Sequence, residues 1–297
     1  MTHLDIIMPA PSQSSAPPRV YDLRVADLFQ ALREGFDDFW AMPTSIVYLA
    51  IIYPIAGLIL AGATYDNDTI QLLYPLAAGF ALLGPLAAIW TYELSRRREL
   101  GADTSWRHAF DVFYSPSLPS IFALALWLLF LFVAWVACAQ AIFSFNFGDR
   151  KITSITELAQ LVVNTREGWN LFVYGNLAGL LFAIVAGATT VIAFPMLLDR
   201  HVSVFTAVAT SVGVVAKNPA VMALWGLIVA VTLLVASLPL LVGLALAVPI
   251  LGHATWRLYR KAVEPAAQTR PVYESRSKGI RYAADFPACL FSRTRED

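Results

Sequence analysis

Five stretches of this chain carry no Asp, Glu, Lys or Arg, and their lengths set the first expectations. They run over Thr44–Ala63, Gln71–Tyr92, Pro119–Phe143, Leu171–Leu198 and Ala220–Thr255. A helix crossing a hydrocarbon core of about 30 Å needs roughly 20 apolar residues, so the first four are each read as one span. The fifth has 36 residues, which as a single helix would reach about 54 Å. Pro239 follows Ser237-Leu238, and proline suits the first turn of a new helix far better than a helix interior. The run is therefore read as two spans joined by a tight hairpin near Ser237–Leu241, which makes six.

Between the spans lie shorter amphipathic segments. Leu28, Leu32, Phe36 and Phe39-Trp40 recur at helical spacing; so do Trp106, Phe110 and Phe113-Tyr114, and again Val202, Phe205, Ala209, Val212 and Val215. Each is expected to lie as a helix in the cytoplasmic interface. Phe36-Asp37-Asp38-Phe39-Trp40 precedes Met42-Pro43, Phe110-Asp111-Val112-Phe113-Tyr114 precedes Pro116, and the third segment ends Lys217-Asn218-Pro219. The returning spans also resemble one another. Gly84-Pro85-Leu86 leads to Arg97 and Val248-Pro249-Ile250 leads at the same spacing to Lys261, with Phe194-Pro195-Met196 a weaker copy. The expected fold is thus all-α and polytopic: six transmembrane helices plus three amphipathic interfacial helices, arranged as a threefold internal repeat.

Composition strengthens this reading. Hydrophobic residues make up 58% and charged residues 14%, against nearer 45–50% and about 25% in soluble domains. With the N-terminus taken as cytoplasmic, 18 of the 21 Lys and Arg fall on the inside, as the positive-inside bias requires; a five-span count would export Arg257, Arg260 and Lys261. Residues 1–21 are expected to form a disordered cytoplasmic arm, 22–263 the membrane domain and 264–297 a cytoplasmic tail. Zero net charge gives no case for nucleic-acid binding, and Cys138 and Cys289 provide neither a disulfide framework nor metal spacing.

The stretches Gln71–Arg98, Phe194–Arg200 and Pro249–Trp256 resemble an uncharacterised bacterial integral-membrane family, a domain of unknown function in which some members carry a cytochrome c oxidase label. The resemblance covers roughly Ala26–Val263 and implies a bacterial inner-membrane location, but no activity or catalytic residues. The histidines exclude a catalytic oxidase subunit and leave an accessory subunit of such a complex open. Haem ligands must sit at membrane depth, whereas His3, His108 and His201 lie outside the spans and His253 lies near the cytoplasmic end of the last one. No cofactor and no metal are expected. Coupled transporters keep ionisable groups inside the bilayer, and the six interiors here contain none; Gln140, Asn176, Thr189 and Thr190 are their main polar points. Gly179, Ala183, Gly187 and Ala188 read as small-residue helix packing.

One polar constellation remains, at the cytoplasmic ends of the returning spans: Glu93 and Arg97, Asp199 and Arg200, His253 and Arg257. If the repeats share an axis, these six form a headgroup-level vestibule that binds an acidic lipid headgroup. The competing explanation is that bases cap helix C-termini and acids pair locally. The expected function is a non-enzymatic inner-membrane scaffold or accessory protein that contacts the lipid bilayer, anionic lipid or a partner membrane complex. The alternative is a carrier or channel for a small or lipid-like solute.

Overall fold

In the computed structural model, which describes residues 18–42, 62, 70–148, 150–152, 154–238 and 242–265, the charge-free stretches after residue 70 are largely helical where they are described, and no strand forms among the described residues. The first apolar stretch, Thr44–Ala63, and Pro239 at the expected hairpin lie outside the described residues. Among the described residues, three helical segments are long and apolar enough to cross a membrane: Leu118–Phe147, Arg166–Asp199 and Pro219–Ser237. The first of these, α5 (Leu118–Phe147), shows how such a helix is used. It buries only a seam of Ile121, Leu124, Leu128, Leu131, Trp135, Ala139 and Phe143, leaving Phe122, Phe130, Val133 and Phe145 uncovered. So much contiguous apolar surface is stable only against lipid.

Two of the three proline-bearing segments are broken near their prolines. Residues 70–99 form a 3-10 turn (Ile70–Leu72), then α2 (Leu73–Leu82), α3 (Gly84–Ala87) and α4 (Ile89–Glu99). Pro85 has no N–H to continue the ladder, and the helix restarts at it. The next return is α7 (Arg166–Thr190) and α8 (Ala193–Asp199), interrupted just before Pro195. The 36-residue run also breaks, into α10 (Pro219–Ser237) and α11 (Leu244–Ala262). These two pack as a hairpin, Leu244 and Val248 meeting Leu233 and Ala236, and α11 carries Pro249 within it.

The spans meet closely where small residues permit. Trp135 lies between Gly79 of α2 and Gly179 of α7, where an added Cβ would come within 2.7 Å and 3.1 Å of its ring. Its indole N–H donates to the Pro75 carbonyl at 2.7 Å. Gly187 has nothing within 4 Å, so only part of the small-residue tract packs.

The largest buried cluster includes the last turns of the proline-bearing segments. Tyr92 of α4, Phe194 and Met196 of α8, and Trp256, Leu258 and Tyr259 of α11 are all buried in one cluster. Helix α1 (Val25–Ala41) lies on α11; a Cβ on Gly35 would come 2.5 Å from the backbone N of Ala254. Helix α9 (Val204–Lys217) buries Ala207, Thr210, Ser211 and Val214. Trp106–Tyr114 is a 3-10 helix rather than the α-helix its spacing suggests. An additional helix, α6 (Ile155–Asn164), occupies the long loop before α7, capped by Ser154.

The two chain ends meet. Val20 pairs with Val263 in an antiparallel bridge, flanked by Tyr21 N–H to Ala262 O at 2.9 Å and Glu264 N–H to Arg19 O at 3.0 Å. The Asn218 side chain accepts from Leu23 N–H at 2.7 Å and donates to Tyr21 O at 3.1 Å. Residues 19–23, the α9–α10 junction and the end of α11 are thus tied together on one side.

Candidate functional site

Helix α4 ends in Glu93-Leu94-Ser95-Arg96-Arg97-Arg98-Glu99, a composition that would normally face water. Here Glu93 through Arg97 are buried, because α1, α8, α11 and the 3-10 segment close around them. Burying ions is costly unless each is paired and its remaining donors are met. The partners come from those surrounding elements, in two clusters.

Asp38 anchors the first. On α1 it continues the face Leu28, Ala31, Gly35 at helical spacing, which packs on α11. It is 1% exposed. Arg257 grips it bidentately, Nη2 to Oδ1 at 2.7 Å and Nε to Oδ2 at 2.8 Å, and Arg98 donates to Oδ1 at 2.6 Å. Such charge-assisted forks are the stronger kind of hydrogen bond. Burial alone would depress the Arg257 pKa, but the Asp38 hydrogen bonds and the charges of Asp38, Glu99 and Glu34 raise it, so the guanidinium stays charged. Ser95 donates to Asp38 at 3.0 Å and meets His253 Nδ1 at 2.7 Å. With the hydroxyl proton on Asp38, the imidazole is the Nδ1–H tautomer and donates to Ser95. Ser95 and His253 are both 0% exposed, and the hydroxyl proton points away from the ring. This is not an activated nucleophile.

The cluster continues along α11. Glu99 takes Arg257 at 3.0 Å and Arg260 at 3.1 Å. Asp199 accepts from the Tyr259 hydroxyl at 2.6 Å and from Arg260 at 3.2 Å. Arg200 donates to Tyr259 at 3.1 Å, to Asp199 at 3.5 Å and to the Glu264 carbonyl at 2.8 Å. Burial and the Asp199 charge push the Tyr259 pKa well up, so it remains a neutral donor to that carboxylate.

The second cluster lies between α4 and the 3-10 segment. Glu93 holds Arg96 through two bonds of 2.8 Å and Arg97 at 3.3 Å. Arg97, 0% exposed, also donates to Asp111 at 2.6 Å and to the Asp103 carbonyl at 3.0 Å. Side chains three apart stack on one edge of a 3-10 helix, which sets His108 and Asp111 side by side. His108 meets Asp111 at 2.8 Å and Asp103 at 3.0 Å. The Asp103 carboxyl is held below its usual range, chiefly by the Ser105 backbone N–H and secondarily by His108.

The six residues singled out from sequence therefore fall into three groups. Glu93 and Arg97 meet directly, Asp199 and Arg200 meet directly, and Asp38 is reached by Arg257 directly and by His253 through Ser95. Arg97, Arg200 and Arg257 are held by different acids. Sequence reading missed the acids that organise the layer, Asp38, Asp111 and Glu99. The signal was present in the paired Phe-Asp motifs, where Asp38 occupies a core position of an otherwise apolar helical face.

Among the described residues no group of His, Cys, Asp and Glu has a metal-holding arrangement. Of the polar points within the spans, Asn176 is occupied, accepting from the Tyr74 hydroxyl at 3.0 Å and donating to the Phe172 carbonyl at 2.7 Å.

Residues 73–199, from the start of α2 to the end of α8, match the model of a family described as a predicted integral membrane protein (DUF2189), a domain of unknown function. The family resemblance expected from sequence is borne out. Neither curated proteins nor solved structures provide a match. The family match and the lipid-type exposure of the apolar helices make this chain an integral membrane protein.

Proposed function

We propose that this protein crosses a bacterial inner membrane six times, with both termini in the cytoplasm, and serves as a non-enzymatic scaffold or accessory component. An even number of crossings is supported by the pairing of residues 19–21 with 262–264, because paired segments share one side of the bilayer. A three-unit organisation is supported by the way the interfacial elements pack on returns of other units: the 3-10 segment on α4 and α9 on α8, each the return just before it, and α1 on the last return, α11. The last contact closes the ring between the first unit and the third.

The observation that carries the scaffold reading is the internally paired ionic layer. Its acids and bases pair with one another, and Ser95 and His253 have no exposed surface, so it ties helices together rather than meeting a reactant. An acidic headgroup approaching this layer would meet Arg200, Arg257 and Arg260 at its rim, whose side chains are 13%, 20% and 28% exposed. The carrier alternative requires a polar path reaching Asn176, whose amide oxygen and one N–H are engaged by Tyr74 and Phe172.

The test is purification at native expression in mild detergent, with mass spectrometry of bound lipids and subunits. A stoichiometric partner complex or retained anionic lipid is expected, the lipid falling when Arg200, Arg257 and Arg260 are all changed to Gln. Solute flux in proteoliposomes that disappears in Asn176→Ala would replace the scaffold reading with the carrier.

A further inference from the structure

Helix α1 has a second apolar face that the fold leaves uncovered. Leu28, Ala31, Gly35 and Phe39 turn inward, while Val25, Phe29, Phe36 and Trp40 are 46%, 60%, 49% and 73% exposed. At the C-terminal end of this stripe the rings of Phe36 and Trp40 stack, with centroids 6.1 Å apart and planes 17° apart. They line a shallow open depression with Asp37 and Ala41. Asp37 differs from its neighbour: Asp38 is buried under two arginines and a serine, whereas the Asp37 side chain is exposed. Beside it stands Arg98, 38% exposed, whose bonds among the described residues both run through Nη1, to the Asp37 carbonyl at 3.0 Å and to Asp38 at 2.6 Å.

We propose that this depression binds the zwitterionic headgroup of a membrane lipid, its ammonium on Trp40, Phe36 and Asp37 and its phosphate on Arg98. An aromatic face next to a carboxylate is the chemistry that takes an ammonium group. A guanidinium with free donors is the chemistry that takes a phosphate. The opposite charges stand in adjacent positions, which matches a phosphoethanolamine-type headgroup rather than a purely anionic one. The occupant is a lipid because the stripe leading to the site is apolar and belongs to a membrane protein; tryptophan is favoured at the headgroup level. The proposal rests on α1 lying in the interface, as the six-crossing reading has it.

The experiment uses the full chain in mild detergent, titrated with short-chain phosphatidylethanolamine, phosphatidylglycerol or free phosphoethanolamine and read by native mass spectrometry. Phosphatidylethanolamine is expected to bind in preference to phosphatidylglycerol. Asp37→Asn and Trp40→Leu should each weaken it by at least about fivefold, with Trp40→Phe retaining most of the affinity and phosphatidylglycerol binding unchanged throughout. Equal binding of the two lipids, unchanged affinity in both variants, or displacement of the lipid by free phosphoethanolamine at matching concentration overturns the assignment. A bimane label on Val25→Cys, with Cys138→Ser and Cys289→Ser, separates the two readings. Quenching by a headgroup-level quencher without lipid preference removes only this site, whereas absence of quenching removes the interfacial placement beneath it.

Discussion

At the scale of single residues, Asp38 and Gly35 do the most to join α1 to the rest of the protein. Asp38 accepts from Arg98, Arg257 and Ser95 while 1% exposed. Asp38→Asn removes the charge and leaves one guanidinium bond without an acceptor. Breaking a buried pair costs about 3–5 kcal/mol, and partial exposure of both arginines lowers this to about 2–3 kcal/mol. Thermal unfolding in detergent should show that loss. The comparison is Asp22→Asn, whose carboxylate is 83% exposed and meets Lys217 at 3.3 Å, and which should cost under about 0.5 kcal/mol; equal effects would mean that Asp38 is no anchor. Gly35 presents a steric case. Alanine is about 1 kcal/mol better than glycine in a helix, but at Gly35 its Cβ would meet the Ala254 backbone at 2.5 Å, whereas Gly226 in α10 has nothing within 4 Å. Gly35→Ala should lower the melting temperature and Gly226→Ala should hold or raise it. A stable Gly35→Ala protein would contradict the α1–α11 contact.

At the scale of elements, the decisive features are the breaks. Proline interrupts the second and fourth apolar stretches because each removes one ladder donor and clashes with the carbonyl four residues earlier, and the shorter pieces that follow, α4 and α8, are largely buried. The break between α10 and α11 has a topological consequence that labelling can read. In a protein with Cys138→Ser and Cys289→Ser, single cysteines at Asp68 and Ser237 should react with an impermeant reagent from outside. One at Leu100, which follows α4 and is 40% exposed, should react only after permeabilisation. Arg97 is unsuitable as the inside reporter because it is buried and paired twice. Protection of Ser237 would sink the six-span arrangement. The element least legible from sequence was α6. Ser154 and Glu157 are spaced as a capping box and Ile155, Leu158, Leu161 and Val162 follow at helical spacing, yet the segment is too short and too polar to register among membrane spans.

At the scale of the whole molecule, the two ends of the described chain are held against each other. Val20 and Val263 form the pair flanked by hydrogen bonds rather than joined by them, the position at which antiparallel Cα atoms come closest, about 4.5 Å. That separation suits a disulfide. Val20→Cys with Val263→Cys, both native cysteines replaced by serine, should therefore cross-link under mild oxidation and shift mobility on a non-reducing gel. The pairing of Val20→Cys with Leu100→Cys serves as the negative comparison. Failure of the first pair to cross-link would put the same-side placement of the ends in doubt, and with it the even count of crossings.

The sequence by itself determined the class of the protein. Lipid cannot satisfy a backbone N–H or carbonyl, so only helices with long charge-free runs are compatible with these stretches, and the run lengths, the proline at 239 and the resemblance to an integral-membrane family could all be read directly. It also marked the returning helix ends as the polar region, because charges that cannot enter the bilayer collect at its edge. What only the tertiary structure decided was which charges meet. Asp38 and Arg257 stand 219 positions apart, and nothing local distinguishes a base that caps a helix from one that clamps another element. Likewise the spacing of Leu28, Leu32, Phe36 and Phe39 reports one apolar stripe, whereas α1 carries two, one packed on α11 and one left exposed. A helical wheel measures only which side chains are apolar; whether protein or lipid covers them depends on where the partner helix lies.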